Sequence, residues 1–131
     1  MYDKDTSQRR FTKALFSSVL ADHAADPKHS GPIERCTHIG KAGIKGEGRY
    51  IYLSFQVEDG IIRQAGFEAH GCLTTLGCAD RVCEILIGRT PEQALNLDER
   101  DVDLLCGGLP DGKGFCAQML AECLSRAFGG G

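Results

Sequence analysis

Seven cysteines stand in a chain of 131 residues, and three of them fall in one short stretch, HGCLTTLGCADRVCE at 70–84. As thiolates, cysteines bind soft metal ions and attack sulfur; as buried thiols they are small inert hydrophobes. Which role each one takes depends on where its element places it. From Cys72 the chain reads as a helix that Gly88 ends, with Leu76, Ala79, Val82, Cys83 and Leu86 on one face. Cys83 lies in the middle of that apolar stripe and is expected in the core, while Cys78 sits at its flank in a structural role. A last helix over about 115–128 repeats the pattern with Cys116, Met119, Leu120, Cys123, Leu124 and Ala127. Cys123 is central there and reads as core. Cys36 and Cys106 fall near element ends and carry no usable signal.

Cys72 and Cys116 differ from the other five. Each falls at or near the first turn of an amphipathic helix, after a loop containing glycine. Unpaired N–H groups and the helix dipole favour the thiolate there. If both helices lay their apolar faces on one sheet, their starts converge at one end of the domain, where two activated thiols can share a site.

The elements that would position this pair are legible. Residues 8 to 24 read as a helix, with Phe11, Leu15, Phe16, Val19 and Leu20 on one face, and DPKHSGP stops it. A weak strand is expected within 36 to 44. RYIYLSFQV alternates, Ile51, Leu53, Phe55 and Val57 facing one way; EDG turns it, and IIRQAGFEA returns, giving a hairpin over 49 to 69. Thr90, Pro91 and Gln93 form the cap, first-turn proline and capping-box partner of a short helix, and a further helix spans about Asp98 to Leu105. The loop GGLPDGKG at 107–114 is rich in glycine and is expected exposed and mobile. Strands first and helices after argue for one α+β domain over residues 1–131, an antiparallel sheet of about three strands packed on one face by helices, with 129–131 a flexible tail.

Composition narrows the function. Net charge is −3 and no basic cluster exists beyond Arg9-Arg10, so nucleic acid is not an expected partner. No apolar run is long enough to span a bilayer, and MYDKDTSQRR does not read as a secretory leader. A cytoplasmic chain with an odd number of cysteines fits free thiols or metal ligands better than closed disulfides.

These stretches together resemble the U-type iron–sulfur cluster scaffolds: IscU, SufU and the N-terminal domain of NifU. LPDGKGFC (109–116) is similar to the family's leucine-proline loop that leads into its last cysteine. DHAADPKHSG (22–31) resembles the family's opening segment, VEDGIIRQAGFEAHGC (57–72) its hairpin and glycine-cysteine ligand, and LIGRTPEQAL (86–95) its glycine helix break. The similarity covers about residues 11 to 128. It implies a small α+β scaffold, not an enzyme, that receives sulfur from a cysteine desulfurase, assembles a [2Fe–2S] cluster on three cysteines and passes it to acceptor proteins. It also implies zinc binding at the same ligands and, in one branch, an Hsp70-type chaperone that reads the leucine-proline loop. Asp111-Gly112 stands where the family has proline-valine, so chaperone binding is expected to be weak.

The departures fall at the ligands. The family's first cysteine lies in a cysteine-glycine-aspartate turn, which here is Glu47-Gly48-Arg49, and the histidine before its last cysteine is Phe115. Cys72 and Cys116 remain as cofactor-binding thiols and metal ligands, and Glu47 becomes the candidate third ligand. A carboxylate suits zinc better than iron sulfide. Arg49 is expected to pair with Glu47 or lie over the thiolates. His70, His23 and His29 are weaker candidates. Two readings stand: a divergent scaffold or carrier, holding iron, a [2Fe–2S] cluster or zinc and pooling thiolates in a dimer; or a cluster-incompetent relative that accepts sulfur as persulfide or regulates a desulfurase or chaperone.

Overall fold

The computed structural model describes residues 18–129. The elements run α1 (Ser18–Ala25), β1 (His38–Gly43), β2 (Tyr50–Glu58), β3 (Ile61–His70), α2 (Leu73–Leu86), α3 (Pro91–Leu95), α4 (Glu99–Leu105) and α5 (Phe115–Phe128). The first ten positions of the helix expected over 8 to 24 lie outside the described residues, as do Gly130 and Gly131 of the expected tail. Gly129 itself closes α5, its N–H donating to the Ser125 carbonyl at 2.7 Å.

The sheet is antiparallel in the order β1-β2-β3. Glu58 faces Ile61 across a two-residue turn in which Asp59 and Gly60 take φ of 55° and 75°. Both angles are positive, as a type I′ hairpin requires, which is why an Asp-Gly pair sits here. At the other end of the hairpin Tyr50 pairs with His70. The residues that open β2 and those that close β3 therefore lie side by side, at the edge where α2 begins.

Alternation along β2 turns Ile51, Leu53 and Phe55 under the helices, all fully buried. α5 packs on β1 and β2, and α2 on β3. At Gly40 the helix and strand backbones touch: a Cβ there would overlap the carbonyl of Cys123. The other face of the sheet is crossed by the segment before β1. Gly31 N–H donates to Phe67 O at 2.6 Å, Ile33 N–H to Ser54 Oγ at 3.4 Å and Thr37 N–H to Phe55 O at 2.7 Å. Among the described residues no helix is long and apolar enough to cross a membrane.

The 107–114 loop departs from expectation. Pro110 is buried and Leu109 packs against the core. Asp103 ties the loop down, its carbonyl accepting from Gly108 N–H at 2.9 Å and its carboxylate from Leu109 N–H at 2.8 Å. Two apolar residues amid the glycines were enough to anchor half of a segment that composition marks as mobile; only Gly107, Asp111, Gly112 and Gly114 are exposed.

A thiol pair at one end of the domain

β3 ends at His70, and Gly71 carries the chain directly onto α2, where Cys72 is the N-cap residue. Gly71 is required by contact: a Cβ there would lie 2.6 Å from the Thr75 hydroxyl. Thr75 is fully buried in the first turn, whereas Cys72 is exposed. Burial on its own would raise the Cys72 thiol, but the backbone N–H and hydroxyl groups of Thr75 and Thr74 outweigh it and bring the pKa from 9.0 to about 7. This is the helix-start effect on a thiol, here supplied by two threonines as well as the backbone.

Cys116 is the second residue of α5 and is fully buried. Thr75 lies between the two thiols, its hydroxyl oxygen 3.9 Å from Cys72 Sγ and 3.5 Å from Cys116 Sγ. One hydroxyl within reach of both sulfurs puts the two helix starts together. The Cys116 thiol is pulled below its ordinary range, first by a hydrogen bond from Cys78, against the opposing effect of burial, and further by Thr75 and the charge of Lys113. Cys78 moves the opposite way: hydrogen bonds to Cys106 and Cys116, together with burial, hold it as the protonated thiol. Negative charge therefore belongs on Cys116 and the proton on Cys78.

The opening of β2 reaches the same end, where the Arg49 guanidinium stacks 3.7 Å from the centre of the Phe115 ring. The Phe115 ring thus serves as a platform for a cation. Glu47 is exposed in a turn between Gly46 and Gly48, both at positive φ, with its N–H donating to Ile44 O at 3.0 Å. Among the described residues no three His, Cys, Asp or Glu side chains are gathered as a metal site. Glu47, the expected third ligand beside Cys72 and Cys116, is held by this glycine turn in solvent.

Two of the histidine candidates have side-chain partners of their own, and the third is held by its backbone. His23 Nδ1 meets the buried Asp80 carboxylate at 2.6 Å, and His29 N–H donates to the same carboxylate at 2.8 Å, so the opening segment is fastened to the outer side of α2. His70 is exposed and stacks on Tyr50, ring centres 6.2 Å apart. Cys83 and Cys123 are fully buried in the core, and Cys123 donates to Ile51 O at 3.2 Å. Thr75 and the Cys78–Cys106 link were missed in the sequence. The threonine carried a signal, since N3 of a helix capped by cysteine is where a hydroxyl meets the cap residue; the link carried none, because Cys106 comes from the end of another helix.

Residues 15–129 match the NifU-like N terminal domain family. Among relatives, the iron–sulfur cluster assembly scaffold protein IscU 1 of Archaeoglobus fulgidus is 29% identical over 113 residues, covering 86% of this chain and 74% of its own. The corresponding scaffold protein IscU of Aquifex aeolicus is 26% identical over 114 residues, covering 86% and 73%. The nitrogen fixation protein NifU of Azotobacter chroococcum is 30% identical over 114 residues, which is 86% of this chain but 37% of that longer protein. A crystal structure of a candidate iron–sulfur cluster assembly scaffold for the SUF system from Fervidobacterium islandicum superposes with a TM-score of 0.65 at 20% identity, covering 86% of this chain and 96% of that one. The N-terminal part of a NifU-like protein from Brucella abortus does so at 0.56 and 15%, covering 87% and 79%.

Proposed function

The chain belongs to the NifU-like N terminal domain family, and from that premise we propose that it is a scaffold or carrier in iron–sulfur cluster assembly, working as a binding protein and not as an enzyme. The observation that carries this reading is the Cys72–Thr75–Cys116 arrangement: two thiols at helix starts, one hydroxyl between them, one sulfur exposed to an incoming partner. Relatives named as iron–sulfur cluster assembly scaffolds span most of the chain. Iron, a [2Fe–2S] cluster or zinc would be its cargo, held by the two thiolates.

The donor set sets the terms of binding. Two thiolates satisfy one iron of a [2Fe–2S] unit and leave the other open. The remaining ligands then come from a second copy of the chain, pooling two pairs, or from the acceptor that takes the cluster away. A cysteine desulfurase as sulfur source and acceptor proteins as destination complete the cycle in this reading; an Hsp70-type chaperone has a poorer surface to dock on, since Pro110 of the leucine-proline loop is buried.

A second reading has its own observation. With two thiols and no third ligand gathered among the described residues, the same site suits a persulfide acceptor that carries sulfur but builds no cluster. Anaerobic reconstitution with iron and sulfide separates the two. A coloured protein with iron and sulfide in stoichiometric amounts, lost in Cys72→Ser and Cys116→Ser, supports the scaffold. A colourless, metal-poor protein whose Cys72 takes up sulfur supports the acceptor.

A further inference from the structure

The opening of β2 brings a positive charge to the thiol end. Arg49 is exposed and immediately precedes Tyr50, whose partner across the hairpin is His70, two residues before Cys72. Its guanidinium lies 3.7 Å from the centre of the Phe115 ring, and Phe115 is the residue before Cys116. A second cation joins it. Lys113 Nζ stands 5.9 Å from the same ring centre, and the Lys113 carbonyl accepts from Cys116 N–H at 3.0 Å. The ring thus ties Arg49 to the turn that carries Cys116, while the hairpin sets it beside the strand end that leads into Cys72. Among the described residues no carboxylate forms an ion pair with either cation, whereas Lys45, Arg81 and Arg126 are matched by Glu68, Glu84 and Glu122.

We propose that Arg49, held on Phe115, sets the charge preference of the thiol site: it favours an iron–sulfur unit, which leaves the site anionic, over a bare divalent cation such as zinc. The proposal rests on the reading of Cys72 and Cys116 as cargo ligands and names which cargo they keep. Two thiolates that take up a zinc ion reach a neutral sum. An oxidised [2Fe–2S] core completed by four thiolates keeps two negative charges. A fixed cation at this end of the domain repels the incoming dication and attracts the anionic product. Charges act over about 10 Å at 0.1 M salt, so Arg49 needs no contact with sulfur to do this. Arginine suits the task, because its charge persists at any working pH and its planar group stacks on an aromatic face, which holds the charge in place. It is not a ligand; it acts through its charge and its position.

The test uses the full chain, reduced and without oxygen. Zinc affinity is measured by competition with a chromophoric chelator. In parallel the chain is reconstituted with ferrous iron and sulfide, and the loss of its visible absorbance to an iron chelator gives cluster retention. Arg49→Gln should bind zinc more tightly and lose cluster faster than the parent, each by about threefold to tenfold, the size expected of one charge near a solvent-exposed site. Both changes should shrink at about 1 M salt, where the screening length falls to about 3 Å. Arg49→Lys keeps the charge and should stay within about twofold of the parent in both. Arg63→Gln should change neither, since it removes a charge at the far end of the hairpin, where Arg63 Nε donates to Glu58 O at 3.3 Å. Opposite movement is the signature, because a merely structural role for Arg49 would weaken both together. Zinc and cluster shifting in the same direction, no shift in either, or shifts undiminished at high salt would overturn the inference. So would a parent that binds zinc but retains no cluster. A parent that holds neither would end the scaffold reading and this inference with it.

Discussion

Cys72 and Cys123 are the same residue in opposite settings. Each lies on a helix packed against the same sheet. At the α2 start the sulfur is exposed, and against the pull of burial the N–H and hydroxyl groups of Thr75 and Thr74 bring its pKa to about 7. In the middle of α5, burial first and the nearby Glu122 charge second push the Cys123 thiol up to about 12. Burial together with the charge of Asp80 pushes Cys83 up as well. The helix turn, not the residue type, decides whether a cysteine in this fold is reactive. One position in from the end, Cys116 shows that burial does not by itself silence a thiol, provided a neighbouring S–H and O–H face it.

The largest expected effect follows directly. At pH 7 a thiol with a pKa near 7 is about half ionised, whereas one near 12 is ionised in roughly one molecule in 10^5. Iodoacetamide should therefore label Cys72 faster than Cys123 by about four orders of magnitude or more in the native protein, since only the thiolate reacts. Peptide mapping after short exposure reads this contrast. Early labelling of Cys123 or Cys83 would break the comparison outright.

Next in size is the contact that holds the unreactive region together. Gly40 lets the β1 backbone touch α5 at Cys123. Gly40→Ala places a methyl group onto a carbonyl that belongs to a packed helix and cannot swing aside. Overpacking of this kind costs typically about 1–3 kcal/mol and sometimes more, and the backbone partner puts this case near about 3 kcal/mol. Urea unfolding should show it as a lower midpoint. A midpoint unchanged from the parent would mean that α5 does not rest on β1 as described.

The two regions were not equally readable in the sequence. Ile51, Leu53, Phe55, Cys83 and Cys123 announced themselves through periods of two and of 3.6, since burying an apolar face is a local demand that repeats along the chain. The Asp59-Gly60 turn was legible because its backbone angles restrict what can stand there. At the reactive end only Cys72 and Cys116 were visible, each from its own helix. Thr75 between them, the stacking of Arg49 on Phe115 and the link from Cys78 to Cys106 arise where separate elements meet, and no periodicity encodes such meetings. Glu47 was legible only in part for a related reason: counting along the hairpin places a residue at an end of the sheet, but the glycines at 46 and 48, both at positive φ, shape the turn there.

A smaller effect sharpens the comparison from the reactive side. Thr75→Val keeps the shape of the buried side chain and removes the hydroxyl from between the sulfurs. The Cys72 pKa should rise from about 7 toward its ordinary 9.0, and a rise of one unit lowers its alkylation rate at pH 7 by about fivefold to tenfold. The sign for stability is that of a lowered acid. Thiolate stabilisation by the helix start is fully present above pH 9, and it is lost as pH falls through about 7; Thr75→Val should flatten that slope. A rate–pH profile of iodoacetamide labelling measures the shift, and a profile that does not move would assign the lowered pKa to the backbone alone.

The smallest expected effect lies at the candidate third ligand. Glu47 sits in solvent beside two glycines at positive φ, with its backbone N–H closing the turn onto Ile44 O. Removing its charge should leave iron or zinc loading as it is in the parent, whereas Cys72→Ser and Cys116→Ser should lower it. The arrangement also predicts what adding a thiol would do. Glu47→Cys supplies a soft ligand on an exposed glycine turn, so binding should strengthen only if metal draws the 46–48 turn toward the pair. Metal titrations of Glu47→Gln and Glu47→Cys together read this. Loss of binding in Glu47→Gln would show that a carboxylate completes the site after all, and would make the reactive end a three-ligand centre in place of a thiol pair.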